Sequence, residues 1–511
     1  MNFQEQLHLL PNYLAAHLQL TLVALGLGIA LSFPLGLLAS RWHRFEQVVL
    51  AVASVIQTIP SLALLAVIVP VLAALRVSSI GYLPAVIGLT LYSLLPILRN
   101  TVTGLRGVDA AYVEAAQGVG MTPWQQLWRV EFPLALPVIV AGIRTATVWT
   151  VGMATLSTPI GAPSLGNFIF TGLQTRNYAS VLVGSAAAAG LALLLDALVR
   201  MVEAGLQRES RRLIGVALVL LSGLIGFTVW TAIRSAAKPT ATRITIGAKT
   251  FTEQFILSEI LAQKIQRDTS YQTQVLSSLG STVAFDALRR GQIDVYVDYS
   301  GTIWTTIMKR DTVPPDRAVL LAEMKAWLEQ EYGIGIPSAL GFENTYALAM
   351  RCSQAKALGI RQIGDLRNHA AKMTIGSDYE FLGRPEWKAV SSIYDLTFAQ
   401  SRSMDPSLMY QAAANGTVDV ISAFSTDGRI AALDLCILED NRSAIPPYDA
   451  VILASPRVMR EYPDVVRALQ ALANTISADR MRRLNLLVDQ QQQNPAQVAK
   501  TFLQELPQPT R

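Results

Sequence analysis

The sequence predicts a multi-domain chain: an all-α polytopic membrane domain of about six transmembrane helices, followed by an α/β domain of two lobes. Three observations carry that prediction. The 511 residues have a mean hydropathy of +0.35 and are 51% apolar, more than an ordinary soluble chain needs to fill its core. Charge divides unevenly, with 14 Lys+Arg against 8 Asp+Glu up to Thr242 and the remaining 28 against 29 from Arg243 onward. At Arg243 the pattern also changes, from long apolar runs to short strands alternating with helical stretches.

The formal net charge of +5 therefore belongs to the membrane half. A near-neutral second half without a Lys/Arg block excludes a nucleic-acid partner. The histidines His8, His17, His43 and His369 are scattered and no Cys/His spacing fits a metal, so no metal site is expected. Cys352 and Cys436 stand either as two buried thiols or as a bridge.

A hydrocarbon core of about 30 Å takes roughly 20 apolar residues to cross. Six stretches qualify: Leu18 to Ala39, Val48 to Leu75, Tyr82 to Leu98, Leu134 to Leu156, Ser180 to Val202 and Leu213 to Ile233. Pro34, Pro60, Pro70 and Pro84 fall within them, which a bundle tolerates when neighbours satisfy the freed backbone groups. The first stretch ends at Arg41 rather than at a small-residue cleavage site and is expected as an uncleaved span. Alternate loops carry Arg41, Arg44, Arg99, Arg106, Arg129, Arg208, Arg211 and Arg212, whereas the opposite loops offer Arg76 and Arg176. The positive-inside rule puts the first set in the cytoplasm, so the N-terminus and everything after about Ser235 are expected outside. Arg144 and Asp196, ionisable within spans, are expected to pair or snorkel rather than to relay protons.

The longest cytoplasmic loop, about residues 106–133, reads Tyr112-Val113-Glu114-Ala115-Ala116, then Gly120, then Val130, Phe132 and Pro133. Val113 to Gln117 can form a short helix, Gly118 and Gly120 permit a sharp turn, and Thr122-Pro123 can start a second helix. Trp124, Leu127 and Trp128 would then form an apolar ridge. The spacing resembles the EAA loop of bacterial ATP-driven importer permeases, with Phe132 where leucine is usual. That resemblance implies that Glu114, Ala115, Ala116, Gly120 and Pro133 belong to a coupling helix docking on a separate ABC ATPase subunit. No Gly-x4-Gly-Lys-Ser/Thr pattern occurs in the chain, so no enzymatic activity is expected of it and no cofactor either; ATP and Mg are expected on the partner.

In the second half, Arg243-Ile244-Thr245-Ile246-Gly247 and Ile293-Asp294-Val295-Tyr296-Val297 read as strands of mainly parallel sheets, which bind ligands at their carboxyl ends. The informative segments lie at such ends: Ile246 to Gln254, Leu279 to Thr282, Tyr296 to Thr302, Phe342 to Leu348, Glu380 to Pro385, Phe424 to Gly428, and Leu438 to Asp440 followed by Pro446-Pro447-Tyr448. In that order they resemble the periplasmic binding proteins for glycine betaine, choline and related compatible solutes, over nearly all of Arg243 to Gln508. The resemblance implies an aromatic box for a quaternary ammonium from Tyr299, Tyr346, Phe424 and Tyr448. It further implies that Lys249, Thr302 and Arg384 hold a ligand carboxylate. The chemistry suits those types, because a trimethylammonium donates no N–H bond and is recognised by aromatic faces, whereas a carboxylate takes an Arg fork or a Lys charge.

The expected division is a permease domain at 1–212, a sixth span and linker at 213–242, and a binding domain at 243–511. One lobe is expected at about 243–340 with 425–511 and the other at about 341–424. Together these imply an importer in the bacterial inner membrane, working as a homodimer with two ATPase copies and carrying glycine betaine or a related betaine. Choline, carnitine, proline betaine and ergothioneine are alternative cargoes. A membrane-tethered solute sensor without transport is the alternative of another class, and the EAA-like loop speaks against it.

Overall fold

A computed structural model describes residues 3–75, 77–175, 177–236, 243–310, 314 and 317–506. Arg76, Arg176, most of the expected linker and the end of the chain lie outside the described residues. Two compact units result: a helical one over Phe3–Ile169 and Ser180–Thr240, and an α/β one built on Ala241–Arg511.

The first part of the chain contributes α1 (Phe3–Arg41), α2 (His43–Thr58), α3 (Ser61–Ala74), α4 (Tyr82–Arg106), α5 (Ala110–Gly118), α6 (Pro123–Gln126), α7 (Phe132–Ala154), α8 (Gly166–Gln174), α9 (Tyr178–Gln207) and α10 (Arg211–Ala236). Five of its helical stretches are long and apolar enough to cross a membrane, and the pair α2–α3 makes up to six. The second stretch is not one straight span, because α2 and α3 meet at a bend of 102°. Proline explains the break: Pro60 has no N–H to give, and it forces Ile59 before it into extended backbone at φ −68°, ψ 128°. The carbonyl of Ile59, left without a helical donor, accepts the hydroxyl of Tyr92 on α4.

Helix α4 is central and packs on α1, α2, α3 and α7. Small residues permit the close approach: a Cβ added at Gly28 of α1 would lie 2.0 Å from Ser93 Oγ, and one at Gly142 of α7 would lie 2.7 Å from the Pro96 carbonyl. Arg144 on α7 meets Asp196 Oδ1 at 2.6 Å and Glu203 Oε2 at 3.1 Å on α9, the helix-to-helix pairing expected of it.

The α/β unit holds two five-stranded sheets. The first has the order β2-β1-β3-β10-β4, from β1 (Arg243–Lys249), β2 (Gln272–Leu279), β3 (Val295–Tyr299), β4 (Ala339–Glu343) and β10 (Asp449–Ala454). The second has the order β7-β6-β8-β5-β9, from β5 (Tyr346–Arg351), β6 (Thr374–Ser377), β7 (Gln400–Ser403), β8 (Val420–Phe424) and β9 (Leu435–Leu438). Helix α11 (Thr252–Asp268) follows β1 and buries Phe255, Ile256, Ile260 and Leu261.

Two expectations change here. The sheets are mixed rather than mainly parallel, since β10 runs antiparallel to β3 and β4, and β5 runs antiparallel to β8 and β9. The reason lies in the crossings: β5 and β10 enter their sheets from the other lobe instead of through a helix on the sheet face, so the crossover that imposes parallel order is absent. The lobe boundaries also move. Strand β4 keeps the chain in the first sheet to Glu343, and β9 keeps it in the second to Leu438, so the return crossing lies between Leu438 and Asp449, beyond the expected Phe424/Ser425. Beside that crossing Cys352 and Cys436 form a disulfide, with Cα atoms 4.9 Å apart, which ties the end of β5 to β9. The bridge is the second of the two readings open to these cysteines.

Candidate functional site

The carboxyl end of β1 leads through Phe251 into α11, that of β3 ends on Tyr299, and that of β8 ends on Phe424, directly opposite Tyr346 on β5. Rings from both sheets meet there. Phe251 stacks on Tyr299 with centroids 6.2 Å apart, and on Phe424 at 6.1 Å with planes 3° from parallel. Tyr346 lies 5.0 Å from Phe424, 5.0 Å from Phe381 and 5.8 Å, edge-on, from Tyr448. The four ring residues read from the sequence are thus brought into one cluster, with Phe251 as the link between Tyr299 and Phe424. Glycine makes room for one of them, since a Cβ at Gly301 would stand 2.5 Å from the Tyr448 ring.

The polar residues depart from the expectation. Lys249 is 3% exposed and its ammonium is ion-paired with Asp298, which also accepts from Tyr296 Oη at 2.6 Å and the Tyr299 N–H at 2.7 Å. Its charge is spent inside the fold, on Asp298, rather than left open for the ligand carboxylate it was expected to hold. Arg384 sits over Tyr346 with Cζ 5.3 Å from the ring centroid. Its fork is filled by Glu386, Nε to Oε2 and Nη2 to Oε1 both at 3.0 Å. Burial opposes ionisation of Glu386, but the Arg384 bonds outweigh it and hold the carboxyl below its ordinary range. Tyr448 Oη also donates to Glu386, and Thr305 Oγ1 donates to it at 3.1 Å. Thr302 is buried in the short helix Ser300–Thr302, but the threonine beside Arg384 is Thr306, at 3.4 Å.

Sequence reading missed Glu253, the first-turn acid of α11. Its carboxylate accepts four bonds: Tyr299 Oη at 2.6 Å, Asn344 Nδ2 at 3.0 Å, Thr426 Oγ1 at 2.6 Å and Asn485 Nδ2 at 3.1 Å. Burial raises its pKa despite those donors. Glu253 therefore ties the Tyr299 ring to the β4–β5 crossing and to the loop after β8. Phe251, Glu253 and Asp298 all lie within segments read as informative, and Glu386 follows Arg384 by two residues. Nothing local marked which of these neighbours faced the cluster. A further mark lies at the end of β2, where Ser278 is held at φ +66°, a strained backbone for a residue with a Cβ.

In the helical unit, Glu114, Ala115 and Ala116 fall on α5, which Asp109 caps by accepting the Ala111 N–H at 2.9 Å. Gly120 turns the chain at φ +79°, and Thr122 with Gln125 closes a capping box on α6. Glu114, Ala115, Gly120 and Pro133 are exposed and Ala116 is buried. The apolar ridge is split. Leu127 turns inward onto Leu105, Ala135 and Ile139, whereas Trp124 stays 66% exposed and stacks edge-on with Trp128 at 5.6 Å. A π-helical turn spans Leu127–Glu131 and leads into α7. Glu131 anchors the loop by accepting from Arg41 at 2.6 Å.

Residues 242–505 match the family model for the substrate-binding domain of an ABC-type glycine betaine transport system, and residues 28–208 match that for a binding-protein-dependent transport system inner membrane component. The chain belongs to the ABC importers that fuse these two parts. An ergothioneine transport permease/ergothioneine binding protein of Helicobacter pylori is 32% identical over 485 residues, covering 92% of this chain and 86% of that protein. A carnitine transport binding protein of Listeria monocytogenes is 32% identical over 266 residues, 51% of this chain and 86% of its own. Among solved structures, one titled as a glycine betaine/carnitine/choline ABC transporter shares 30% identity with a TM-score of 0.46, covering 51% of this chain and 98% of that one. As a member of this importer family the chain is a multi-pass membrane permease joined to a binding domain for a small molecule, and its relatives are transport proteins rather than enzymes.

Proposed function

We propose that the chain is the permease and capture subunit of an ATP-driven importer for a quaternary ammonium solute of the betaine class. The observation that carries this reading is the ring cluster, in which Phe251, Tyr299, Phe424, Tyr346 and Tyr448 from both sheets are joined by centroid distances of 5.0 to 6.2 Å. Aromatic faces supply what a methylated ammonium needs, about 0.5 to 2 kcal/mol for each desolvated contact. The two cations of the cluster are internally neutralised, so the ligand's positive end meets no uncompensated positive charge. Glu386 occupies the Arg384 fork in this structure and would yield it to a ligand carboxylate. Glycine betaine is the simplest such ligand. The full-length likeness to a protein named for ergothioneine supports a betaine with a larger side chain.

The chain works as a homodimer with two copies of an ATPase that binds ATP and Mg, docked on the exposed α5–α6 loop. The capture unit faces the outside of the inner membrane, a placement supported by the arginines of the opposite loops and by the Cys352–Cys436 disulfide, which persists in an oxidising compartment. Calorimetric titration of the full chain in lipid nanodiscs with glycine betaine, choline, carnitine, proline betaine and ergothioneine tests the cargo class. Heat from at least one is expected, and none from any would overturn it. For the coupling role, Glu114 or Gly120 substitutions should uncouple ATP hydrolysis from uptake in the assembled transporter; if they leave coupling intact, the sensor reading gains.

A further inference from the structure

Burying a charged oxygen without a partner is costly, because nothing repays the lost hydration. Among the buried side-chain atoms of the described residues that lack a hydrogen-bond partner, one is a carboxylate oxygen, Asp378 Oδ2. Asp378 is 6% exposed and follows β6 at its carboxyl end. Its Oδ1 accepts the backbone N–H groups of Glu380 at 2.7 Å and Phe381 at 2.8 Å, and its own N–H donates to Ser422 Oγ on β8 at 3.4 Å. One oxygen is therefore fixed by the loop and the other is left bare.

The bare oxygen belongs to the same edge of the sheet as the rings. Strand β6 runs parallel to β8, with Gly376 opposite Ile421, and β8 ends on Phe424 opposite Tyr346. Phe381, whose N–H holds Asp378, has its ring 5.0 Å from Tyr346. The nearby cations are committed elsewhere: Arg384 to Glu386 and Glu380, Lys249 to Asp298, and Arg429 to Asp427. Aromatic faces satisfy a trimethylammonium, yet that group has no N–H or O–H with which to satisfy Asp378.

We propose that Asp378 Oδ2 accepts a hydrogen bond from the ligand, so that the solute carries an N–H or O–H donor in addition to its quaternary ammonium. This rests on the quaternary-ammonium reading and narrows it. Choline and carnitine have a hydroxyl and ergothioneine has ring N–H groups, whereas glycine betaine and proline betaine have no such donor. A site built around a buried acceptor rejects a ligand that leaves it unpaired.

The test is a titration of the full chain in lipid nanodiscs with all five compounds, for the wild type and for Asp378→Asn. The asparagine keeps an oxygen for the two backbone N–H groups and puts an NH2 where the acceptor was. One donor-bearing ligand is expected to bind wild type at least about tenfold tighter than glycine betaine and proline betaine. Asp378→Asn should erase that preference, weakening the donor-bearing ligand about tenfold or more while glycine betaine shifts less than about threefold. The wild-type ranking stands even if the variant does not fold. Equal or tighter binding of glycine betaine by wild type overturns the inference and leaves the quaternary-ammonium reading intact, as does a variant that weakens every ligand alike. Binding of none of the five overturns both.

Discussion

Aromatic side chains are used in opposite ways by the two units. On the α5–α6 loop Trp124 is 66% exposed and Tyr112 57%, both carried on short capped helices. In the α/β unit Tyr299, Tyr346 and Tyr448 are all less than 10% exposed, each touching other rings or bonded to a carboxylate. The difference fits the proposed function: exposed rings on a loop offer anchors that a protein partner could bury, whereas enclosed rings from two sheets suit a small cation. Charges follow the same division, with Lys249–Asp298 and Arg384–Glu386 sealed among the rings and Arg41–Glu131 half exposed at the base of the loop.

If the enclosed charges are structural, the largest effect should come from Lys249→Met. It leaves Asp298 buried without its cation and is expected to lower stability by about 3–5 kcal/mol, read from denaturant melts of the full chain. Were ligand affinity to fall with stability unchanged, Lys249 would return to the binding role expected of it. Tyr346→Ala should come next, with a loss of ligand affinity of about 100-fold by calorimetry, since that ring touches Phe424, Phe381 and Tyr448 together. Glu253→Gln replaces one of two accepting oxygens by a donor facing other donors, and should lower stability by about 1–3 kcal/mol. Trp124→Ala should reduce ligand-stimulated ATP hydrolysis of the assembled transporter about tenfold. The same variant should shift the melt of the chain by less than about 0.5 kcal/mol, because the ring is mostly exposed. A large loss of stability there would break the contrast between the two sets of rings.

Much of this was legible in the primary structure because it is local. Apolar run length predicts spans, Asp109, Thr122 and Gly120 prescribe the α5–α6 loop, and Tyr299, Phe424 and Tyr346 stand at strand ends where α/β sheets bind ligands. The break at Pro60 was visible as a proline but not as a bend of 102°, since a bundle can absorb such a residue or turn on it.

What the sequence by itself determined, then, is the order of parts and the identity of the rings, because helix length, turn chemistry and strand ends are set by neighbours along the chain. What only the tertiary structure decided is which polar groups remain available. Lys249 meets Asp298 on the neighbouring strand of its own sheet across 49 positions, and Glu253 meets Thr426 beyond β8 of the other sheet across 173, so the commitment of each charge depends on strand order and on how the sheets are laid together. Electrostatic satisfaction is a property of that packing, and among the described residues it leaves Asp378 Oδ2 as the buried carboxylate oxygen without a hydrogen-bond partner.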